Sequence, residues 1–233
     1  MLQELRDAVL HANLELVRRG LVLYTFGNVS GISRKDGLVV IKPSGVPYDQ
    51  MKPEHLVITD LEGRRVEGDL KPSSDLATHL ILYKAFPEIG GVTHTHSEYA
   101  TAWAQARLPI PCFGTTHADY FHGSIPVTEA MTDREIATEY EKNTGHAIVR
   151  AFKTLDYAAV PAVLVANHGP FAWGPDAETS AHNAVILEAV ARTAYLTRAI
   201  NHEAGSAGQG LQNKHYSRKH GGSAYYGQEK KLQ

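Results

Sequence analysis

The stretch Gly91-Val92-Thr93-His94-Thr95-His96 decides how the middle of this chain folds and what it can bind. Its β-branched and apolar residues predict a strand, and residues 97–107 then have the composition of a helix. Because side chains two positions apart on a strand face the same side, His94 and His96 are expected to reach one common point. The stretch therefore predicts a strand that presents two imidazoles together.

Predicted strands and helices alternate on both sides of this stretch. Apolar residues at helical spacing, capping residues and short β-rich runs define the expected elements. The expected helices cover residues 2–19, 75–85, 97–107 and about 176–200, and the capping box at residues 132–135 predicts the start of one more. The expected strands cover 21–25, 38–41, 56–59, 64–67, 91–96 and 162–166. Asn28-Val29-Ser30-Gly31 is turn-prone and is expected to separate two strands. This interleaving predicts an α/β or α+β fold.

The chain is expected to consist of one domain and a tail. No Pro- or Gly-rich linker divides residues 1–200, and apolar periodicity stops after residue 201. Residues 201–233 are rich in Gly, Ser, Gln, Lys and His, which is typical of a disordered tail. A passive tail does not need functional side chains, yet this one contains His215, Tyr216, Arg218, His220, Tyr225 and Tyr226. Composition alone leaves both interpretations open.

Composition excludes several classes of protein. The chain has 233 residues, 23 Lys+Arg against 25 Asp+Glu, one Cys and 13 His. One Cys excludes a disulfide scaffold, Cys-rich zinc modules and iron–sulfur clusters. The formal net charge of −2 gives no electrostatic case for nucleic acid or an acidic membrane. Charged residues near the start, among them Glu4 and Arg6, stand where a signal peptide is apolar, so a cytoplasmic location is expected.

Histidine and carboxylate residues indicate a metal site. His168 follows the predicted strand 162–166 and precedes Gly169-Pro170, which places it at a strand end, where loops build sites. Three imidazoles and one carboxylate suit Zn²⁺, with Mn²⁺ or Co²⁺ as substitutes. Asp75, at the start of a predicted helix, is the preferred carboxylate, and Glu98 is a rival that falls where strand gives way to helix. A surface or packing role is expected for the isolated histidines His55, His79, His146, His182 and His202.

Two Ser-bearing loops precede the histidine motif and suit an anionic substrate. Lys42-Pro43-Ser44-Gly45 follows an apolar strand and offers a cation, a hydroxyl and exposed backbone N–H groups. Lys71-Pro72-Ser73-Ser74 opens a helix, whose N-terminus attracts anions. Gly27-Asn28 adds a flexible backbone and a side-chain amide. Each piece alone is typical of an ordinary turn, but together they predict a phosphorylated substrate.

These motifs occur in the order found in the class II aldolase/adducin family, which the chain resembles from its first helix to Gln228. The motifs that carry the resemblance are Gly27-Asn28-Val29-Ser30, Lys42-Pro43-Ser44-Gly45, Lys71-Pro72-Ser73-Ser74-Asp75, His94-Thr95-His96 and Asn167-His168-Gly169. Within the family, the stretches 114–121, 213–221 and 224–228 are similar to the bacterial sugar-phosphate 4-epimerases.

The resemblance implies an α/β single domain with a central, mainly antiparallel β-sheet flanked by helices. It also implies a homotetramer with active sites between subunits, in which residues 1–200 form the catalytic domain and the tail 201–233 contributes to the site. The implied metal ligands are Asp75, His94, His96 and His168. The residues implied to bind phosphate and nearby oxygens are Gly27, Asn28, Lys42, Ser44, Gly45, Ser73 and Ser74. Acid/base catalysis is implied for Asp119 and Tyr226, supported by His215 and Arg218.

The implied activity interconverts L-ribulose 5-phosphate and D-xylulose 5-phosphate by metal-assisted cleavage and re-formation of the C3–C4 bond. The step belongs to carbohydrate metabolism, with L-arabinose catabolism as the expected pathway and the use of ascorbate or another pentose as the open alternative. One alternative is an aldolase of the L-fuculose-1-phosphate type, but those enzymes have Glu where this chain has Asp75. A second alternative is a structural module like the adducin head domains, which lack the metal ligands that this chain has.

Overall fold

Seven strands form one antiparallel sheet within residues 2–220 and 224–225, which are the residues that the computed structural model describes. The strands are β1 (Asn28–Ser33), β2 (Leu38–Ile41), β3 (Val57–Asp60), β4 (Arg65–Glu67), β5 (Gly91–His94), β6 (Ala162–Leu164) and β7 (Pro170–Gly174). Their order across the sheet is β4-β3-β2-β1-β5-β7-β6, and every neighbouring pair is antiparallel. The predicted fold class is confirmed.

Helices of the described residues surround the sheet. They are α1 (Gln3–Arg18), α2 (Leu76–Ala85), α3 (Glu98–Ala106), α4 (Thr115–Ala118), α5 (Asp133–Ala137), α6 (Tyr140–Ala151), α7 (Ala177–Ile200) and α8 (Gln209–His220). The four helices whose ranges were predicted from sequence correspond to α1, α2, α3 and α7, and the helix start predicted at the capping box 132–135 corresponds to α5. Asp176 caps α7 as predicted, because its side chain accepts a hydrogen bond from the Thr179 N–H at 2.6 Å. In the described part of the chain, no helix is long and apolar enough to span a membrane.

Two segments adopt a different type of structure from the one predicted. The expected turn Asn28-Val29-Ser30-Gly31 lies in β1, at the middle of the sheet, where it pairs with β2 on one side and β5 on the other. The side chain of Asn13 in α1 also donates to the Val29 carbonyl at 3.1 Å and accepts from the Val29 N–H at 2.9 Å. Tertiary pairing thus overrides local turn preference. The expected strand 21–25 is a loop, because Tyr24 has a φ of 52°, a left-handed conformation that a strand cannot include.

The two faces of β1 show how helices enclose the sheet. Gly31 faces α1 so closely that a Cβ atom on it would lie 2.8 Å from the Leu5 side chain. The neighbouring residue Ser30 faces α2, where its hydroxyl lies 2.7 Å from His79 Nδ1. The long helix α7 packs against α1 and also against β5 and β7. The sheet is therefore a middle layer, with α1 and α7 on one side and α2 on the other.

Strand β5 ends at His94, two residues before its predicted end. His94 lies opposite Asn28 of β1 and opposite Phe171 of β7. The chain then leaves the sheet, so the strand alternation that predicted a shared direction for His94 and His96 does not extend to His96. Loop geometry, rather than strand geometry, has to bring the two imidazoles together.

Part of the C-terminal segment is helical. Among its described residues, 209–220 form α8, which packs against the short helix α4. Gln212 is buried there, and its side-chain amide donates to the Ala207 carbonyl at 2.6 Å. The disordered tail that composition allowed is therefore not what residues 209–220 adopt.

Candidate active site

A polar cavity of about 380 Å³ lies where β1, β5 and the start of α2 meet. It is lined by all four residues predicted as metal ligands, Asp75, His94, His96 and His168. All seven predicted phosphate-binding residues line it too, namely Gly27, Asn28, Lys42, Ser44, Gly45, Ser73 and Ser74. Glu98, the rival ligand, is exposed on α3 and is not part of the lining. The fold thus gathers motifs from five separate parts of the chain around one space.

Three imidazoles converge on one point of this cavity. One potential ligand atom from each of His94, His96 and His168 lies within 4.8 Å of the others. His94 Nδ1 is 2.9 Å from the Pro170 carbonyl oxygen and donates to it, because a carbonyl only accepts. That bond leaves His94 Nε2 with a lone pair, 3.1 Å from Nε2 of His96. Such a second-sphere bond to a carbonyl is the usual way of orienting a metal-binding histidine.

Burial favours the neutral, metal-binding form of His96 and His168. Burial, together with the neighbouring imidazoles of His94 and His96, lowers the pKa of His168 to about 3. Burial and the His94 imidazole lower the pKa of His96 as well. His168 Nδ1 is buried and has no hydrogen-bond partner among the described residues. Neutral imidazole nitrogens with free lone pairs are what a divalent cation requires, so this donor set fits one.

The loop after β6 places His168 beside the other two histidines. Its preceding residue, Asn167, has a φ of 62°, in the left-handed region that Asn tolerates better than most residues. The residue that follows His168 must be glycine, because a Cβ on Gly169 would lie 2.9 Å from the Thr95 carbonyl oxygen. This close approach brings the His168 ring centroid to 4.7 Å from that of His94.

Asp75 lines the cavity at the start of α2. Its Oδ2 accepts a hydrogen bond of 2.6 Å from Asn28 Nδ2, which also donates to Ser73 Oγ at 3.1 Å. Burial raises the pKa of the Asp75 carboxyl, whereas the positive charges that His94 and His79 would carry if protonated, together with the Asn28 hydrogen bond, lower it, and the net direction is a lowered pKa. Asp75 is therefore an ionised carboxylate held in a fixed direction beside the three imidazoles.

The two Ser-bearing loops are paired with each other. The Ser44 N–H donates to the Lys71 carbonyl and the Ser73 N–H donates to the Lys42 carbonyl, each at 2.9 Å. This reciprocal pairing, centred on an antiparallel bridge between Pro43 and Pro72, sets both serines on the same cavity wall. The sequence predicted the two loops separately, and the structure joins them.

Lys42 is a buried cation in this wall. It is 2% exposed, and its Nζ contacts the Thr25 and Pro43 carbonyl oxygens at 3.3 and 3.4 Å. Its ammonium also lies 4.8 Å from the ring centroid of Tyr48, and no carboxylate pairs with it within the described residues. Burial lowers the pKa of Lys42 to about 8. A buried ammonium without a counter-ion favours an anionic ligand.

The lowered pKa of Lys42 predicts a pH dependence of substrate affinity. As the pH rises through about 8, the ammonium loses its proton and its attraction for a phosphate. We expect the KM for a sugar phosphate to rise by up to about tenfold per pH unit above that point. Lys42→Met should remove this rise and increase the KM at pH 7 by about 10- to 100-fold, the usual loss of a charged hydrogen bond.

Steady-state kinetics between about pH 6.5 and 9.5, a range that brackets the Lys42 titration, check this prediction. The exposed Lys35→Met variant is the matched control. A KM of the Lys42→Met variant that equals that of the wild type at neutral pH would contradict a phosphate-binding role.

Some residues that line the cavity were missed by sequence reasoning. Thr25 and Phe26 precede the Gly27-Asn28 motif, and Tyr140 and Glu141 begin α6. The Tyr140 ring centroid lies 5.8 Å from that of His168, and burial, with the charges of Glu141 and Asp75, raises its pKa. No motif marks α6, and the nearby capping box at residues 132–135 signals only a helix start.

A second polar cluster surrounds Asp119, at the end of α4. Arg218 Nε and Nη2 donate to the two carboxylate oxygens of Asp119 at 2.8 and 2.5 Å. His215 Nδ1 lies 3.1 Å from Oδ1. Burial raises the pKa of Asp119, but the Arg218 and His215 contacts outweigh it and lower the pKa overall. None of these three residues lines the cavity that holds the histidines, and Tyr226 lies outside the described residues.

His79 is a buried packing residue, in agreement with the sequence prediction. It is fully buried on α2, and its Nδ1 lies 2.7 Å from Ser30 Oγ, which is also 2.8 Å from the Tyr83 hydroxyl. Burial lowers its pKa to about 3. The neutral His79 thereby packs α2 against β1 behind Asp75.

Fold and cavity together define a class II aldolase-type protein. Residues 7–195 match the family described as Class II Aldolase and Adducin N-terminal domain, and the chain belongs to this family. The class II aldolases are divalent-metal dependent, in agreement with the three-histidine cluster. A solved L-fuculose 1-phosphate aldolase superposes with a TM-score of 0.79 at 25% identity, covering 94% of this chain and 97% of that one.

Two relatives are more similar in sequence. The L-ribulose-5-phosphate 4-epimerase UlaF of Salmonella paratyphi B is 53% identical over 228 residues, which cover 98% of this chain and 100% of the relative. The protein of the same name from Salmonella paratyphi A is also 53% identical over 228 residues, with the same coverage. Among solved structures, the L-fuculose-1-phosphate aldolase of Thermus thermophilus has a TM-score of 0.69 at 23% identity and covers 88% of this chain and 100% of its own.

Proposed function

We propose that this protein interconverts L-ribulose 5-phosphate and D-xylulose 5-phosphate. The observation that carries the proposal is the single cavity in which three convergent imidazoles share the lining with a buried Lys42 and two serine loops. A phosphorylated ketose needs both an electrophile near its carbonyl and a cation near its phosphate. The 53% identity to epimerases of this name, over nearly the whole chain, supports the same substrate.

The position of the carbonyl group in the substrate determines which bond has to break. Inversion at C4 of a 2-ketopentose cannot start from C–H deprotonation, because the C4 hydrogen is not next to the C2 carbonyl. Loss of the C4 hydroxyl proton instead lets the C3–C4 electron pair move toward C2, giving the dihydroxyacetone enediolate and glycolaldehyde phosphate. Rotation of the aldehyde, re-formation of the C3–C4 bond on its other face and return of a proton to the C4 oxygen complete the epimerisation.

We propose that Asp75, His94, His96 and His168 hold a divalent cation for this reaction. Three imidazole nitrogens and a carboxylate oxygen suit Zn²⁺ best, with Mn²⁺ or Co²⁺ as substitutes. When bound, the cation supplies Lewis acidity that stabilises the negative charge developing next to the carbonyl. Asn28 keeps the Asp75 carboxylate in place, and Pro170 keeps the His94 ring in place.

The remaining site residues bind the phosphate and transfer protons. The loops around Lys42, Ser44 and Ser73 hold the phosphate, so the aldehyde stays tethered while its carbonyl turns. Asp119 serves one face of the aldehyde and Tyr226 the other, and each alternates between acid and base with the direction of reaction. His215 and Arg218 hold the Asp119 carboxylate.

We further propose a homotetramer whose active sites lie between subunits. The Asp119 cluster does not line the cavity of its own chain, so a neighbouring copy has to supply it. In this arrangement residues 1–200 form the catalytic domain, and the tail 201–233 carries its acid/base groups to the neighbour. A phosphorylated substrate, which is retained inside cells, favours a cytoplasmic location.

Incubation with L-ribulose 5-phosphate tests the proposal. We expect D-xylulose 5-phosphate to accumulate, with no free glycolaldehyde phosphate in solution, because the aldehyde stays bound between cleavage and re-addition. Accumulation of free aldehyde together with dihydroxyacetone would instead identify an aldolase, the activity named for the structural neighbour at 25% identity. Absence of both products, in a preparation with full metal content, would contradict the proposed activity.

A further inference from the structure

We propose that His220 is a positioning residue that orients Asp119 through its main chain. The inference rests on the proposed function, which gives Asp119 an acid/base role. His220 is the last residue of α8, and its Nε2 lies 2.8 Å from the main-chain carbonyl oxygen of Asp119. A carbonyl oxygen only accepts hydrogen bonds, so Nε2 carries the hydrogen and donates it.

Helix α8 holds Asp119 at two places. His215 and Arg218, three residues apart and therefore on one side of the helix, contact the carboxylate oxygens. His220 contacts the carbonyl of the same residue. The side-chain contacts alone let the carboxylate pivot together with the Arg218 guanidinium. The third contact fixes the peptide group that follows Asp119, and with it the direction in which the side chain leaves the backbone.

The His220 ring is itself fixed by neighbouring rings. It stacks on Tyr216 with centroids 4.6 Å apart and planes 22° apart, and the Tyr216 centroid also lies 4.8 Å from that of His122. The ring nitrogen Nε2 of His122 is 2.9 Å from Asn213 Oδ1 on α8, and the main-chain N–H of His122 donates to the Ala159 carbonyl at 2.9 Å. These contacts tie α8 to the body of the protein and leave the His220 ring little freedom.

The residues that orient Asp119 are different from the residues proposed to bind the substrate. The phosphate-binding loops and the three-histidine cluster line the cavity, whereas His220 and its stacking partners do not. Loss of the His220 bond should therefore misplace the proton-transfer group without weakening the hold on the phosphate. Small misplacements of a reacting group lower the rate steeply, and the effect belongs in kcat rather than KM.

The first measurement compares three variants of His220. We expect His220→Ala to lower kcat by about 10- to 100-fold, within the range for a misplaced reacting group, and to change KM less than about twofold. His220→Gln should recover kcat to within about threefold of wild type, because the glutamine amide reaches the position of Nε2. His220→Asn should not recover it, because its amide matches Nδ1. His202→Ala, whose histidine side chain is 89% exposed, is the control and should be unchanged.

The second measurement combines His220→Ala with Asp119→Asn. If His220 acts through Asp119, the double variant turns over as fast as Asp119→Asn alone, because there is no acid/base group left to misplace. An equal loss of kcat in both backgrounds would overturn the inference, since it indicates a general structural role. Wild-type kcat in His220→Ala, or equal rates for the Gln and Asn variants, would overturn it as well.

The same variants distinguish a failure of the His220 role from a failure of the acid/base role proposed for Asp119. If Asp119→Asn alone turned over at the wild-type rate, the acid/base assignment itself would fail, and the inference with it. If Asp119→Asn were slow but His220→Ala normal, the assignment would stand and only the inference would fail. Thermal midpoints and metal content of each variant, measured alongside, identify any variant that has lost its fold.

Discussion

Replacing His96 by alanine is expected to remove the bound divalent cation and to lower kcat/KM by about 10³-fold or more, the worth of several kcal/mol of Lewis-acid stabilisation. His96 is the exposed member of the three-histidine cluster, and it lies beyond the end of β5. Its replacement by alanine therefore removes one ligand nitrogen without creating a cavity in the hydrophobic core. Elemental analysis of the purified variant should find well under one metal ion per chain, whereas we expect about one per chain in the wild type.

A matched control separates ligand loss from any effect of removing a histidine. His146 is exposed on α6 and does not line the cavity, so His146→Ala should keep both metal and activity. Added Zn²⁺ at high concentration should restore part of the activity of His96→Ala, because three of the four proposed ligands remain. Full metal content and full activity in His96→Ala would contradict the proposed metal site.

Replacing Asp119 by asparagine is expected to lower kcat by about 10²- to 10⁴-fold, the usual worth of a placed acid or base. Asparagine keeps the shape of the side chain and an oxygen that Arg218 can contact, but it cannot take up a proton. The KM should change little, because Asp119 does not line the cavity of the phosphate loops. Asp49→Asn, at an exposed position, is the control. Equal kcat in Asp119→Asn and wild type would remove Asp119 from the mechanism.

Mixed oligomers test whether Asp119 serves the site of a neighbouring subunit. His96→Ala and Asp119→Asn are each expected to be nearly inactive by themselves, yet each keeps the half of the site that the other lacks. If the halves meet between subunits, co-expression at equal levels should restore about a quarter of the wild-type activity, the random fraction of interfaces with two intact halves. A mixture that stays as inactive as its parts would place both halves in one chain.

Much of the site was predictable because its motifs are local. Lys42-Pro43-Ser44-Gly45, Lys71-Pro72-Ser73-Ser74 and His94-Thr95-His96 each bring together, within a few residues, side chains of the types that bind phosphates or metal ions. Each of them contributes side chains to the cavity lining. The reason given for His96 was nevertheless wrong, since β5 ends at His94 and the loop brings His96 into place.

Other parts of the site had no local signal. Tyr140 and Glu141 carry no motif, and they reach the cavity only because α6 packs against α2. The three contacts from α8 to Asp119 join residues about 100 positions apart. Neither spacing nor composition encodes such a contact, because it depends on how two distant helices pack.

The sequence by itself determined the helices α1, α2, α3 and α7 and the start of α5. It also predicted the proposed chemistry, with imidazoles and a carboxylate for a cation and a lysine and serines for a phosphate. The tertiary structure alone decided that Asn28-Val29-Ser30-Gly31 is the central strand and that Asp119 lies outside the cavity of its own chain. The physical reason is that local propensities differ by about 1 kcal/mol per residue or less, whereas pairing with two strands and burial contribute more. A turn-prone segment therefore becomes a strand wherever the fold surrounds it with partners.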